Sequence, residues 1–121
     1  MSFKYFKFNE FDSPDCPGSG ELYMSKKLIE KLDAVRDELG GPIRVNSGYR
    51  TPEHNKKVGG VADSPHLYGY AADLSVSNGR DRYRLITLLL KHGINRIGIG
   101  KNYIHIDIDP VKDKDVIWVY K

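Results

Sequence analysis

The chain has 121 residues, 40% of them hydrophobic and 29% charged, enough to bury a core without metal or disulfide staples and too apolar for a disordered chain. Its formal charge is +3 and no Lys/Arg block stands out, so nucleic acid is excluded as the expected partner. The single cysteine, Cys16, excludes an intrachain disulfide framework.

Positions 1–20 alternate Phe3, Tyr5, Phe6, Phe8 and Phe11 with polar residues and then pass into the loop S-P-D-C-P-G-S-G. This segment reads as an extended arm or short strand that lays its aromatics on the domain. Cys16 sits in the loop with no second thiol, which leaves it without a metal or redox role. The opening M-S-F-K-Y-F-K-F lacks an apolar leader core, and no run approaches 18 apolar residues. Neither a signal peptide nor a membrane span is expected, and the protein is expected to be made in a cytoplasm.

Ser25 is placed to cap a helix in which Leu28, Leu32, Val35 and Leu39 recur at helical spacing, and Gly40-Gly41-Pro42 stops it. Ile43 and Val45 alternate with Arg44 and Asn46, a short strand ending at the turn S-G-Y-R. Thr51-Pro52-Glu53 opens a second, short helix that ends at Gly59-Gly60. Positions 59–70 are rich in Gly and Pro, which puts His66 on an irregular segment. A strand over 71–76 carries Asp73. Asn78 caps a third helix through Leu85, Ile86, Leu89 and Leu90, ended by Gly93. Strand-like runs at 96–100, 103–109 and 116–120 complete the chain. Helices early and strands late predict one α+β domain over 1–121, with a small, mainly antiparallel sheet and about three helices. A monomer is expected.

The run Tyr103-Ile104-His105-Ile106-Asp107-Ile108-Asp109 alternates with period two. The three isoleucines face a core, and Tyr103, His105, Asp107 and Asp109 share the opposite side. Asp73 is set among Ala71, Ala72, Leu74 and Val76, where a carboxylate is costly unless paired or bound to a cation. Two imidazoles and one carboxylate, His66, Asp73 and His105, leave a fourth position open around a tetrahedral Zn²⁺, as a catalytic site requires. A structural role for each residue is the competing reading. His54 and His92 are read as structural, His92 because a helix C-terminus favours a cation.

The pattern S-G-Y-R-x-P-E-H-N, then V-G-G-x-x-x-S-x-H-x-x-G-x-A-x-D, then G-I-G and I-H-I-D resembles the zinc D-Ala-D-Ala carboxypeptidase and L-alanyl-D-glutamate endopeptidase family of peptidoglycan metallopeptidases. That family shares its fold with the hedgehog signalling domain. The resemblance runs from Glu10-Phe11 to Asp107 and implies that His66, Asp73 and His105 bind zinc. It implies that Arg50 binds a substrate carboxylate or carbonyl and steadies the oxyanion, with Ser64 supporting substrate or ligand. Tyr49, Tyr68, Tyr70 and Tyr103 flank the motifs as cleft walls or as core packing, and Tyr103 is taken as substrate-binding.

One position departs from the family pattern. Some members carry Glu or Asp three residues before the last zinc histidine as general base, and here that position is Asn102. Asp107 is then the nearest proton acceptor, or else the carboxylate that orients His105. The implied activity is hydrolysis of amide bonds in peptidoglycan stem peptides. The setting expected for it is a phage-type lysis enzyme released through another protein's pore, with a bacterial enzyme trimming wall peptides as the variant. A zinc-containing domain that only binds its ligand is the alternative from another class. A non-heme iron triad is a further one, but such sites usually place H-x-D before the distant His, whereas here it comes last.

Overall fold

Short polar side chains open the helices by taking N–H groups that would otherwise lack partners. Ser25 Oγ accepts from the N–H of Leu28 (3.2 Å), Thr51 Oγ1 from His54 (3.1 Å) and Asn78 Oδ1 from Asp81 (2.9 Å). In the computed structural model, which describes residues 3–120, the helices are α1 (Ser19–Tyr23), α2 (Lys26–Leu39), α3 (Pro52–Lys57) and α4 (Gly79–Lys91). The strands are β1 (Val45–Ser47), β2 (Ala71–Ser75), β3 (Arg96–Ile99), β4 (Tyr103–Asp107) and β5 (Val116–Val119).

The strands form one sheet in the order β1-β2-β4-β3-β5. All neighbours are antiparallel except β3 and β5, which run parallel. This is the α+β architecture expected, with α1 as the helix that the pattern did not predict. One face of the sheet carries Leu74, Ile97, Ile104 and Ile106 into a core shared with Leu28, Ile29, Leu32 and Val35 of α2 and Leu85 and Leu89 of α4. Each fully buried aliphatic side chain contributes about 1.5–3 kcal/mol. The alternating partners on β2 and β4 therefore turn to the other face, and pairing sets Asp73 opposite His105.

Several expectations need correction. Among the described residues before position 20, from residue 3 on, there is no strand: they make a 3-10 turn over Phe8–Phe11, an isolated bridge between Ser13 and Cys16, and then α1. Their aromatics do pack, with Phe6 and Phe11 buried and Phe3, Tyr5 and Phe8 against the core. The backbone turns because local side chains satisfy it. Glu10 accepts from the N–H of Lys7, and the Asp12 carboxylate accepts from those of Gly18 and Gly20. Ile43 lies outside β1 although buried. In α4, Leu90 is exposed and Leu88 packs against the core instead. β4 ends at Asp107, so Asp109 leaves the strand and accepts the N–H of Val111 in the following loop (3.0 Å). No helix among the described residues is long and apolar enough to cross a membrane.

Candidate metal centre

His66 sits on a 3-10 turn over Pro65–Tyr68, which the Gly/Pro-rich stretch forms where an irregular segment was expected. Ser64 Oγ accepts the His66 N–H (3.2 Å), so the hydroxyl works as a cap at the foot of the turn. Gly69 closes the turn at φ +74, and a Cβ there would collide with the Tyr23 carbonyl. The turn is tied to S-G-Y-R by two contacts: Arg50 N–H donates to the His66 carbonyl (3.0 Å), and His66 Nδ1 donates to the Gly48 carbonyl (2.7 Å).

That second bond decides the chemistry of the ring. With its proton on Nδ1, a neutral His66 presents a lone pair at Nε2, 3.3 Å from Asp73 Oδ1. Nε2 is buried and has no hydrogen-bond partner among the described residues. His105 Nδ1 approaches the same carboxylate oxygen at 2.9 Å. The ligand atoms of His66, Asp73 and His105 all lie within 4.8 Å of one another. A lone pair facing a carboxylate oxygen is repulsive unless a proton or a cation lies between them. Two nitrogens and one oxygen therefore fit a borderline cation such as zinc.

The second oxygen of Asp73 is held by Arg50 Nη2 (3.2 Å). Arg50 is itself anchored, Nε donating to Ser47 Oγ (3.1 Å) and Nη1 to Asn55 Oδ1 (3.3 Å). Burial pushes the Asp73 carboxyl up, but His105 and His66 outweigh it and hold the group well below the usual carboxylate range. Burial likewise works against charge on His105, and its bonds to Asp107 and Asp73 override that and raise its pKa.

On the far side of His105, Nε2 donates to Asp107 Oδ2 (2.7 Å). Asp107 Oδ1 accepts from Arg96 Nε (2.6 Å) and from the Asp109 N–H (3.2 Å). Its side chain has no exposed surface, against 14% for Asp73. A group that takes a proton from water must be reached by that water, and Asp107 accepts three hydrogen bonds with no exposed side-chain surface. Of the two roles expected of Asp107, this geometry suits the orienting one. Asn102 is exposed, and its carbonyl accepts the Val76 N–H (3.1 Å).

The trio lines a cleft of about 370 Å³ with Arg50, Ser64, Tyr103, Trp118 and Tyr120, and Arg96 and Asp107 border it too. Burial first, then the negative charge of Asp73, pushes the Tyr103 hydroxyl up, which keeps it protonated. A cavity of about 440 Å³ between the end of α2 and α4 carries Asp81 and Arg84 but no histidine, so size alone does not mark the site. Tyr49 stacks on Tyr23 (4.8 Å between centroids), and neither it, Tyr68 nor Tyr70 lines the cleft. His92 pairs with Glu38 (2.8 Å), and neither it nor His54 joins the trio. Asp109, expected beside His105, points into its own loop. Arg96, Trp118 and Tyr120 escaped sequence reasoning. The alternation of R-I-G-I put Arg96 and Gly98 on one face and was the available signal.

A family model described as peptidase M15 matches residues 4–109. The chain is similar to a zinc D-Ala-D-Ala carboxypeptidase of Streptomyces albus G, 47% identical over 108 residues. The match covers 85% of this chain and 42% of that relative, so the chain spans less than half the relative's length.

Proposed function

The chain belongs to the peptidase M15 family, and from that premise we propose that it is a zinc peptidase cleaving amide bonds in peptidoglycan stem peptides. His66 through Nε2, Asp73 through Oδ1 and His105 through Nδ1 are the ligands in this reading. The observation that carries it is the Asp73 oxygen flanked by one unpartnered and one carboxylate-backed imidazole nitrogen. Bound there, zinc supplies Lewis acidity, polarising a carbonyl and acidifying water.

The chain's own groups supply the rest. Arg50, fixed by Ser47 and Asn55, keeps a guanidinium beside the ligands, where it meets the oxyanion of the tetrahedral stage or a substrate carboxylate. Tyr103 keeps its proton and offers a hydroxyl donor to the substrate. Ser64 holds the His66 turn, and Asp107 holds the Nε2 proton of His105 so that Nδ1 faces the ligands.

The similarity to a carboxypeptidase favours release of a terminal D-Ala over cleavage between L-Ala and D-Glu. Defined muropeptides digested with zinc-loaded protein and weighed by mass spectrometry distinguish these. Loss of one alanine is expected, abolished by His66→Ala. An internal cut would support the endopeptidase variant. Stoichiometric zinc with no cleavage of any muropeptide would contradict the enzyme reading and leave a ligand-binding domain, the reading that the closed carboxylate of Asp107 and the Asn at position 102 favour.

A further inference from the structure

Arg96 lies on β3, and its guanidinium is held from three sides. Nε donates to Asp107 Oδ1 (2.6 Å), Nη1 donates to the Asp113 carbonyl, and the Trp118 ring covers the group at 5.1 Å. Its side chain is 12% exposed, so the charge is largely removed from water and its pose has little freedom. Parallel pairing of β5 with β3 sets Trp118 beside Gly98, and a Cβ on Gly98 would meet the indole at 2.7 Å and the Tyr120 ring at 2.6 Å. Only a glycine leaves room there for the rings to lie across β3. Pairing of β3 with β4 sets the same Gly98 opposite His105. β5 and the loop before it lie beyond the span that the family model matches.

We infer that Arg96 is a positioning residue of the metal centre. Through Asp107 it fixes the orientation of His105, and β5 locks it in that pose with Trp118 and the loop carbonyl of Asp113. The inference rests on the zinc reading above. A carboxylate that accepts from the far nitrogen of a metal-binding imidazole sets the ring's orientation, and loss of such partners typically weakens metal binding about 10–100-fold. Arg96 acts one step further out: without it, Asp107 loses the cation that fixes its Oδ1 and with it part of its hold on the ring.

The test measures zinc affinity by chelator competition, the visible spectrum of the cobalt-substituted protein, and the thermal midpoint of the metal-free form. Wild type, Arg96→Gln, Asp107→Asn and the double variant are compared. Arg96→Gln is expected to weaken zinc about tenfold or more and to alter the cobalt spectrum. The double variant is expected to be little worse than Asp107→Asn alone, because both act along one chain of contacts. A purely structural Arg96 would instead lower the metal-free midpoint and leave affinity and spectrum unchanged, and that result overturns the inference while the zinc reading stands. Fully additive losses in the double variant also overturn it. Failure of the wild type to bind zinc sinks the zinc reading and this inference together. If Arg96→Gln does not fold, Arg96→Lys carries the test: it keeps a charge but puts one nitrogen in place of the fork that spans Asp107 and the Asp113 carbonyl. Asp107 is then held less firmly, so affinity should fall severalfold, and wild-type affinity would refute the inference.

Discussion

His105 stands between two carboxylates that are almost mirror images. Asp73 takes Nδ1 and an arginine, Arg50; Asp107 takes Nε2 and an arginine, Arg96. The two sides differ in what else they touch. Asp73 faces a second imidazole and keeps some exposed surface in the cleft, whereas Asp107, at the floor of the same cleft, also accepts a backbone N–H and has no exposed side-chain surface. Identical residue types thus acquire different work from one neighbour and one opening, and the open side is where a metal and a substrate can reach.

The largest effect should break that symmetry outright. Asp73→Asn is expected to retain no stoichiometric zinc after dialysis, while Asp107→Asn keeps it at roughly 10–100-fold lower affinity, as metal analysis and chelator titration would read. Equal losses in the two would abolish the distinction. In folding stability the order should invert. Asp107→Ala leaves the mostly buried Arg96 without its anionic partner, holding only the Asp113 carbonyl and the Trp118 ring, at a cost of about 3 kcal/mol in urea denaturation of the metal-free protein. Asp73→Ala should cost less, because Arg50 keeps two side-chain acceptors, Ser47 and Asn55, and Asp73 itself is partly exposed. A smaller cost for Asp107→Ala would contradict this order.

Next in size is the arginine on the open side. Arg50→Lys keeps a cation beside Asp73 Oδ2, so zinc affinity should fall less than in Asp107→Asn, by under about tenfold. It should lower kcat on a muropeptide by about 10²–10³, the usual cost of one lost oxyanion donor. A larger loss of zinc affinity instead would move Arg50 to the metal's support.

The smallest effect is on pH. The depressed carboxyls of Asp73 and Asp107 contribute stability that is complete above their ordinary value of 3.8 and is lost as pH falls through the folded-state values. The raised His105 contributes stability that is complete below its ordinary 6.5 and is lost as pH rises through its folded-state value. Metal-free protein should therefore be most stable between these limits. Zinc should reverse the high-pH limb, because Nδ1 must give up its proton to bind. Urea midpoints across pH, with chelator and with zinc, would show the two limbs diverging; parallel curves would deny the metal its place.

Much of the open side was legible in the sequence. Alternation through Ile104, His105, Ile106 and Asp107 gave the two faces of β4, and an acid among Ala71, Ala72 and Leu74 marked Asp73 as paired or metal-facing. The caps at Ser25, Thr51 and Asn78 are local, and the structure uses each of them. The closed side was not legible, because its meaning depends on strand pairing. Arg96 meets Asp107 only through the antiparallel register of β3 on β4, and Trp118 reaches Arg96 only through the parallel pairing of β5. Before position 20, aromatic spacing suggested a strand while Asp12 folded the backbone from six and eight residues away. Asp109 continued the alternation in sequence but left the strand because its carboxylate serves the next turn.

The central claim is that Asp73 Oδ1, His66 Nε2 and His105 Nδ1 share one zinc ion. Anomalous diffraction at the zinc edge from crystals of the zinc-loaded protein tests it most directly. A single strong peak within bonding distance of all three atoms, with Asp107 still on His105 Nε2, is the expected result. A peak elsewhere, or one coordinated through His105 Nε2 with Asp107 displaced, would contradict it.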